Sequence, residues 1–158
     1  MASTRGGRRQ SRSTNIHEAT ADEILKMTET MNDADRFLVT FAAFTGLRAG
    51  ECGGLRVGDI DFLGRKINVR RSVSEAHGKV QFGTPKNGKS RSVPIPPFLL
   101  GQLRLHLTGR EVDDDLTAQV FTSRNGGTYR HSNFYKRVFQ PAMTPSGQKG
   151  FRSNDQRP

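Results

Sequence analysis

The chain has 158 residues, with 25 Lys and Arg against 15 Asp and Glu, a net charge of +10 and an isoelectric point near 10.6. That length suits one domain with a real core and is too short for two large ones, and a hydrophobic fraction of 33% excludes a chain disordered throughout. No apolar run approaches the roughly 20 residues of a membrane helix and no apolar leader opens the chain, so a soluble intracellular protein is expected. Cys52 is the single cysteine and is read as a small core residue.

The positive charge is unevenly spread. Positions 1–14 hold four Arg and no acid, 65–91 hold eight basic residues against one acidic, and 122–158 hold seven against one, whereas 15–63 hold nine acids against four bases. Clusters of this kind suit a phosphate backbone as partner.

Residues 1–15, rich in Gly, Ser and Arg, are expected to form a disordered basic arm. Order begins at Thr20, which makes a capping box with Glu23 ahead of Ile24, Met27 and Met31 at helical spacing. Phe37, Leu38, Phe41 and Phe44 predict a second helix closed by Gly46, and a short helical piece follows over 49–54. The period then changes. Lys66–Arg70, Lys79–Phe82 and Ser92–Ile95 alternate as three short strands, and Asn87-Gly88 marks a tight hairpin between the last two, with Lys86 at its rim. Leu99, Leu100, Leu103 and Leu107 predict another amphipathic helix, Val120-Phe121 a short extended piece, and Ser132 the cap of a helix carrying Phe134, Val138 and Phe139. Periodicity ends at Pro141, leaving 143–158 as an irregular basic tail behind a domain over 16–142.

The stretches TGLRAGECGGLRVGDID, KINVRRS, TPKNGKSRSVPIP and VFTSRNGGTYRHSNFYKRVFQPA, in that order, resemble the catalytic domain of tyrosine recombinases of the phage-integrase type, from about Thr20 to Ala142. The resemblance implies an α+β fold, mainly helical, with a small three-stranded antiparallel sheet. It also implies cleavage of DNA through a 3′-phosphotyrosine without metal or cofactor. A guanidinium can hold two non-bridging phosphate oxygens at once. Arg48 matches the first of the family's two phosphate-clamping arginines, Glu51 a supporting acid, and Lys86 the lysine that protonates the leaving 5′ oxygen. Arg70, Arg71, Lys89, Arg91, Arg130, Lys136 and Arg137 are expected to contact the DNA backbone, which adds affinity without sequence information.

The chain departs from the family in its second half. None of the four histidines, His17, His77, His106 and His131, has Arg three residues on. The two tyrosines precede the place of the family's nucleophile: Tyr135 is read as packing on its helix, and Tyr129 as a surface or phosphate contact. Asp113-Asp114-Asp115 is read as a solvated loop and not a metal site. The expectation is a truncated integrase of the kind a decayed prophage leaves, cytoplasmic and nucleoid-associated, binding DNA weakly. Three readings stay open: a DNA-binding remnant, a shared-site enzyme completed by another chain, or a partner that inhibits a full-length recombinase. With the family's closing helices missing, Phe37, Phe41, Leu103 and Phe139 are expected to be partly uncovered and to favour self-association.

Overall fold

The computed structural model describes residues 20–85 and 88–143. The basic arm expected over 1–15 and the basic tail expected over 143–158 lie outside these residues, Met143 apart. Lys86 and Asn87 lie outside them as well.

Helix α1 (Ala21–Thr28) begins at the capping box: the Glu23 N–H donates to Thr20 Oγ1 at 3.3 Å, and the Thr20 N–H to Glu23 Oε2 at 2.8 Å. Ile24 and Met27 form its buried face, and Met31 is buried in the turn beyond it. The Arg36 guanidinium donates to the carbonyls of Thr28 (3.2 Å) and Met31 (3.3 Å), so groups left open where α1 ends are satisfied from the next helix. That helix, α2 (Asp33–Thr45), is capped by Asn32 Oδ1, which accepts the Asp35 N–H at 2.8 Å, and ends at Gly46 with a φ of +73°. Phe37, Leu38 and Phe41 enter the main core, while Val39 enters a second, smaller cluster. Phe44 belongs to the same predicted stripe but is exposed at the last turn, edge-on to Phe98 with ring centroids 5.0 Å apart.

Helix α3 (Ala49–Gly54) and a 3-10 turn (Val57–Asp59) lead into the strands β1 (Ile60–Asp61), β2 (Lys66–Val69), β3 (Ser72–Ala76), β4 (Lys79–Gly83) and β5 (Arg91–Pro94). β1, β2 and β5 form a three-stranded antiparallel sheet with Ile67 opposite both Ile60 and Val93. β3 and β4 form a separate hairpin. The expected pairing of Lys79–Phe82 with Ser92–Ile95 across Asn87-Gly88 is therefore not formed. The cause is local. β3 and β4 close through the two-residue loop His77-Gly78, whose φ values of +52° and +73° supply the two positive angles that a tight right-twisted hairpin needs. β5 is left to extend the sheet on β2, where Val93 meets buried Ile67.

Helix α4 (Pro97–Gly109) buries Leu99, Leu103 and Leu107 against α2 and the three-stranded sheet, and Leu105 on its other side is exposed. Val120 and Phe121 are buried without forming a strand; the Val120 N–H donates to the Leu55 carbonyl at 2.9 Å. Helix α5 (His131–Phe134) runs through a π-helical turn (Tyr135–Phe139) into α6 (Gln140–Met143). Ser132 is inside this helix and does not cap it. Its N–H and hydroxyl both donate to Glu75 of β3, at 3.1 and 2.7 Å, so the cap comes from another element. The helix also passes Pro141. Just before it, the Gln140 N–H reaches back five residues to the Tyr135 carbonyl, a widened turn next to a residue that has no N–H to give.

Phe37, Phe41, Leu103 and Phe139, expected to be partly uncovered, are all buried: the first three in the main core, Phe139 with Ile24, Met27, Met31 and Val39. The exposed large apolar side chains are others, among them Leu63, Leu105 and Leu116. No helix among the described residues is long and apolar enough to cross a membrane. None of their His, Cys, Asp and Glu side chains form a group of three or more able to hold a metal ion.

Candidate functional site

Leu47 is buried in the main core and Gly46 has just ended α2, so the chain turns sharply and Arg48 becomes the N-cap residue of α3 with its side chain exposed. Three residues on, Glu51 folds back and accepts the Arg48 N–H on Oε2 at 2.9 Å. The same carboxylate receives Arg91 from β5 in a two-pronged grip, Nη1 to Oε1 at 2.5 Å and Nη2 to Oε2 at 2.8 Å. Glu51 is 2% exposed. Burial works to raise its pKa; the Arg91 hydrogen bonds, the Arg48 amide and the charges of both arginines outweigh it, and the net shift is downward. Arg91 is held more firmly protonated in turn, chiefly by its hydrogen bond to Glu51.

The same construction recurs eight residues later. Leu55-Arg56-Val57-Gly58-Asp59 repeats the Leu-Arg-x-Gly-acid order of Leu47 to Glu51. Asp59 Oδ2 accepts the Arg56 N–H at 2.9 Å and Arg71 Nη1 at 2.5 Å, and Arg71 also donates to the Gly54 carbonyl at 3.3 Å. The signal for this second run in the sequence is the repeated pattern itself.

Structure thus brings together Arg48, Glu51 and Arg91 and separates the remaining candidates. Arg71 is engaged by buried Asp59. Arg70, just after β2, and Lys89, two residues before β5, are exposed at the same end of the three-stranded sheet, where Val69 pairs with Arg91. Arg130 donates to the Gly78 carbonyl at the tip of the β3–β4 hairpin (3.1 Å), and Lys136 and Arg137 are exposed on the π turn. Lys86 lies outside the described residues. Tyr129, expected at the surface, is 5% exposed, packed near Gly53 and Phe134; its ring fills space between α3 and α5. Tyr135 stacks on Phe139 with centroids 5.6 Å apart. A groove of about 1130 Å³ lies away from Arg48, between the start of α2, the 122–130 loop and the π turn, and Arg130 and Arg137 are among its lining residues.

A helical domain with a small antiparallel sheet, presenting an arginine from the start of a short helix, defines the class: the fold is that of a tyrosine-recombinase catalytic domain. It aligns with the crystal structure of XerA recombinase at a TM-score of 0.61 and 22% identity, covering 85% of this chain and 44% of that one. It aligns with the Tn1549 transposon integrase, solved in complex with circular intermediate DNA, at 0.68 and 18%, covering 87% and 48%. Residues 15–157 match the phage integrase family, and the chain belongs to it. The prophage phiRv2 integrase of Mycobacterium tuberculosis is 34% identical over 146 residues, 90% of this chain and 38% of that protein. A XerC-like tyrosine recombinase of Caldanaerobacter subterraneus subsp. tengcongensis is 31% identical over 157 residues, 84% of this chain and 40% of that protein. The chain therefore spans about 40% of the length of these relatives.

Proposed function

We propose that this chain is a DNA-binding part of a tyrosine-type site-specific recombinase, with Arg48 as its phosphate-clamping guanidinium and Lys86 as the family's leaving-group acid. The observation that carries the reading is the division of labour at the start of α3. The buried Glu51 carboxylate holds the Arg48 backbone, while the Arg48 side chain stays exposed to meet a ligand. A fixed backbone and a free planar cation are what bidentate phosphate binding asks of an arginine. The names of the relatives, a prophage integrase and a tyrosine recombinase, support DNA as the partner, as does the transposon integrase solved with DNA. Arg70, Lys89, Lys136 and Arg137, all exposed, supply further backbone contacts.

Strand cleavage through a phosphotyrosine requires a tyrosine hydroxyl in line with the phosphorus, and the described residues hold two tyrosines. Tyr129 is buried and Tyr135 is stacked on Phe139, so neither stands ready for in-line attack. Two measurements test this. Duplex binding should be sequence-independent, roughly 10⁻⁴ to 10⁻⁶ M at physiological salt, and steeply salt-dependent. Replacing Arg70 and Lys89 by Ala should reduce the log–log salt slope by about one for each cation that meets a phosphate; an unchanged slope removes that face from the interface. Nicked suicide substrates should give no covalent adduct on a denaturing gel. An adduct that disappears in Tyr135→Phe would make the chain an enzyme in its own right.

A further inference from the structure

We propose that Arg91 is a positioning residue for Arg48: it acts through Glu51 and does not itself bind phosphate. The inference rests on Arg48 as the phosphate clamp. Arg91 is the first residue of β5 and Glu51 the third of α3, 40 positions apart in sequence. Both nitrogens of the Arg91 fork are used on the two oxygens of Glu51, and one of those oxygens is also the acceptor of the Arg48 N–H. The unit is therefore a chain of three: β5 guanidinium, buried carboxylate, capping amide.

Physical chemistry gives the direction of dependence. A carboxylate 2% exposed needs a partner to stay ionised. Without Arg91 it either takes a proton or turns toward solvent, and in both cases the acceptor of the Arg48 amide is weakened. The N-terminal turn of α3 would then fray, and the Arg48 guanidinium would search a wider volume before meeting phosphate. A lysine in place of Arg91 keeps the charge but supplies one point contact where the fork supplies two. An arginine bound to phosphate by its own terminal nitrogens would have to release this grip.

The test uses the full chain, a random-sequence duplex and salt titrations of affinity for wild type, Arg48→Ala, Arg91→Lys, Arg48→Ala/Arg91→Lys and Glu51→Gln, with circular dichroism confirming the fold of each. Arg48→Ala is expected to lower the salt slope by about one. Arg91→Lys should weaken binding as Arg48→Ala does, although net charge is unchanged, and the double variant should bind no more weakly than Arg48→Ala alone. Glu51→Gln should also weaken binding, against the simple electrostatic expectation that removing a negative charge tightens it. Arg91→Lys binding as wild type, or additive losses in the double variant, would overturn the proposal. If Arg48→Ala itself binds as wild type, the phosphate-clamp reading fails separately. Amide exchange at Arg48 then decides the positioning role: faster exchange in Arg91→Lys sustains it, and unchanged exchange ends it. The same exchange measurement decides the matter if Glu51→Gln does not fold.

Discussion

The two Leu-Arg-x-Gly-acid runs have one local geometry and two tertiary fates. In each, an acid accepts the amide of the arginine three residues earlier at 2.9 Å. In each, an arginine from outside the run grips that acid, Arg91 from β5 for Glu51 and Arg71, the residue before β3, for Asp59. In each, the glycine lies close to a carbonyl from another part of the chain: a Cβ on Gly50 would stand 2.5 Å from the Val73 oxygen, and one on Gly58 3.0 Å from that of Leu116. The difference is what the first arginine is left to do. Arg48 opens a helix with its side chain exposed; Arg56 opens a single 3-10 turn, half-buried, and is bridged to Gln119. A short motif can thus fix a backbone twice and yet leave its arginine exposed only once.

The largest effects should come from removing the gripping arginines. Stranding a buried carboxylate typically costs about 3–5 kcal/mol, so Arg71→Met should approach about 3 kcal/mol in urea unfolding. Arg91→Met should cost less, because Arg91 is 44% exposed against 23% for Arg71 and the Arg48 charge still acts on Glu51. Equal losses would mean the two bolts are energetically the same.

Next come the glycines. Gly50→Ala forces a methyl against the backbone and hydroxyl of β3 and should cost about 1–3 kcal/mol as an overpacking change. Gly58→Ala, at an exposed position with a wider approach, should cost less; thermal unfolding of the pair ranks them.

Acidification separates the first run from the rest of the core. Glu51 has a lowered pKa in the folded state, so its contribution is present above the ordinary value of 4.5 and is lost as pH falls through the folded value below it. Glu51→Gln should therefore lose less stability than wild type below pH 4.5. His106, half-buried against Phe37 and Phe121 with Nε2 2.7 Å from the Val120 carbonyl, also has a lowered pKa, chiefly through burial. Its neutral form is favoured by folding, so stability should already decline as pH falls below 6.5, and equally in wild type and Glu51→Gln. Unfolding midpoints collected across this range show whether the two windows are distinct.

The smallest effect is expected at Arg124→Ala. Its pair with Asp35, 3.0 Å apart with Arg124 64% exposed, should contribute no more than about 1 kcal/mol. A larger loss would show that exposure is a poor guide to which ion pairs matter here.

Much of the helical frame was legible in the chain. Thr20 with Glu23, the Phe37–Phe41 stripe closed by Gly46, and Leu99, Leu103 and Leu107 each specify their structure within about a dozen residues, and each is found. The order of motifs also pointed to the family. Strand partnership was not legible: Asn87-Gly88 is a strong turn signal, but His77-Gly78 closes the hairpin and β5 joins β2. Nor was the cap that Glu75 gives to Ser132, since its two halves are 57 residues apart.

At the site the same division holds. That Arg48 follows a buried helix and precedes Glu51 by three residues is a property of the sequence, and so short a span puts the amide and the carboxylate within reach of each other. That Arg91 spends its guanidinium on Glu51, and Arg71 on Asp59, was decided by the tertiary structure alone. Sequence shows seven basic residues suited to phosphate without distinguishing them. Folding brings two of them to buried carboxylates, where unpaired charge is costly, and leaves others, such as Arg70 and Lys136, exposed to water.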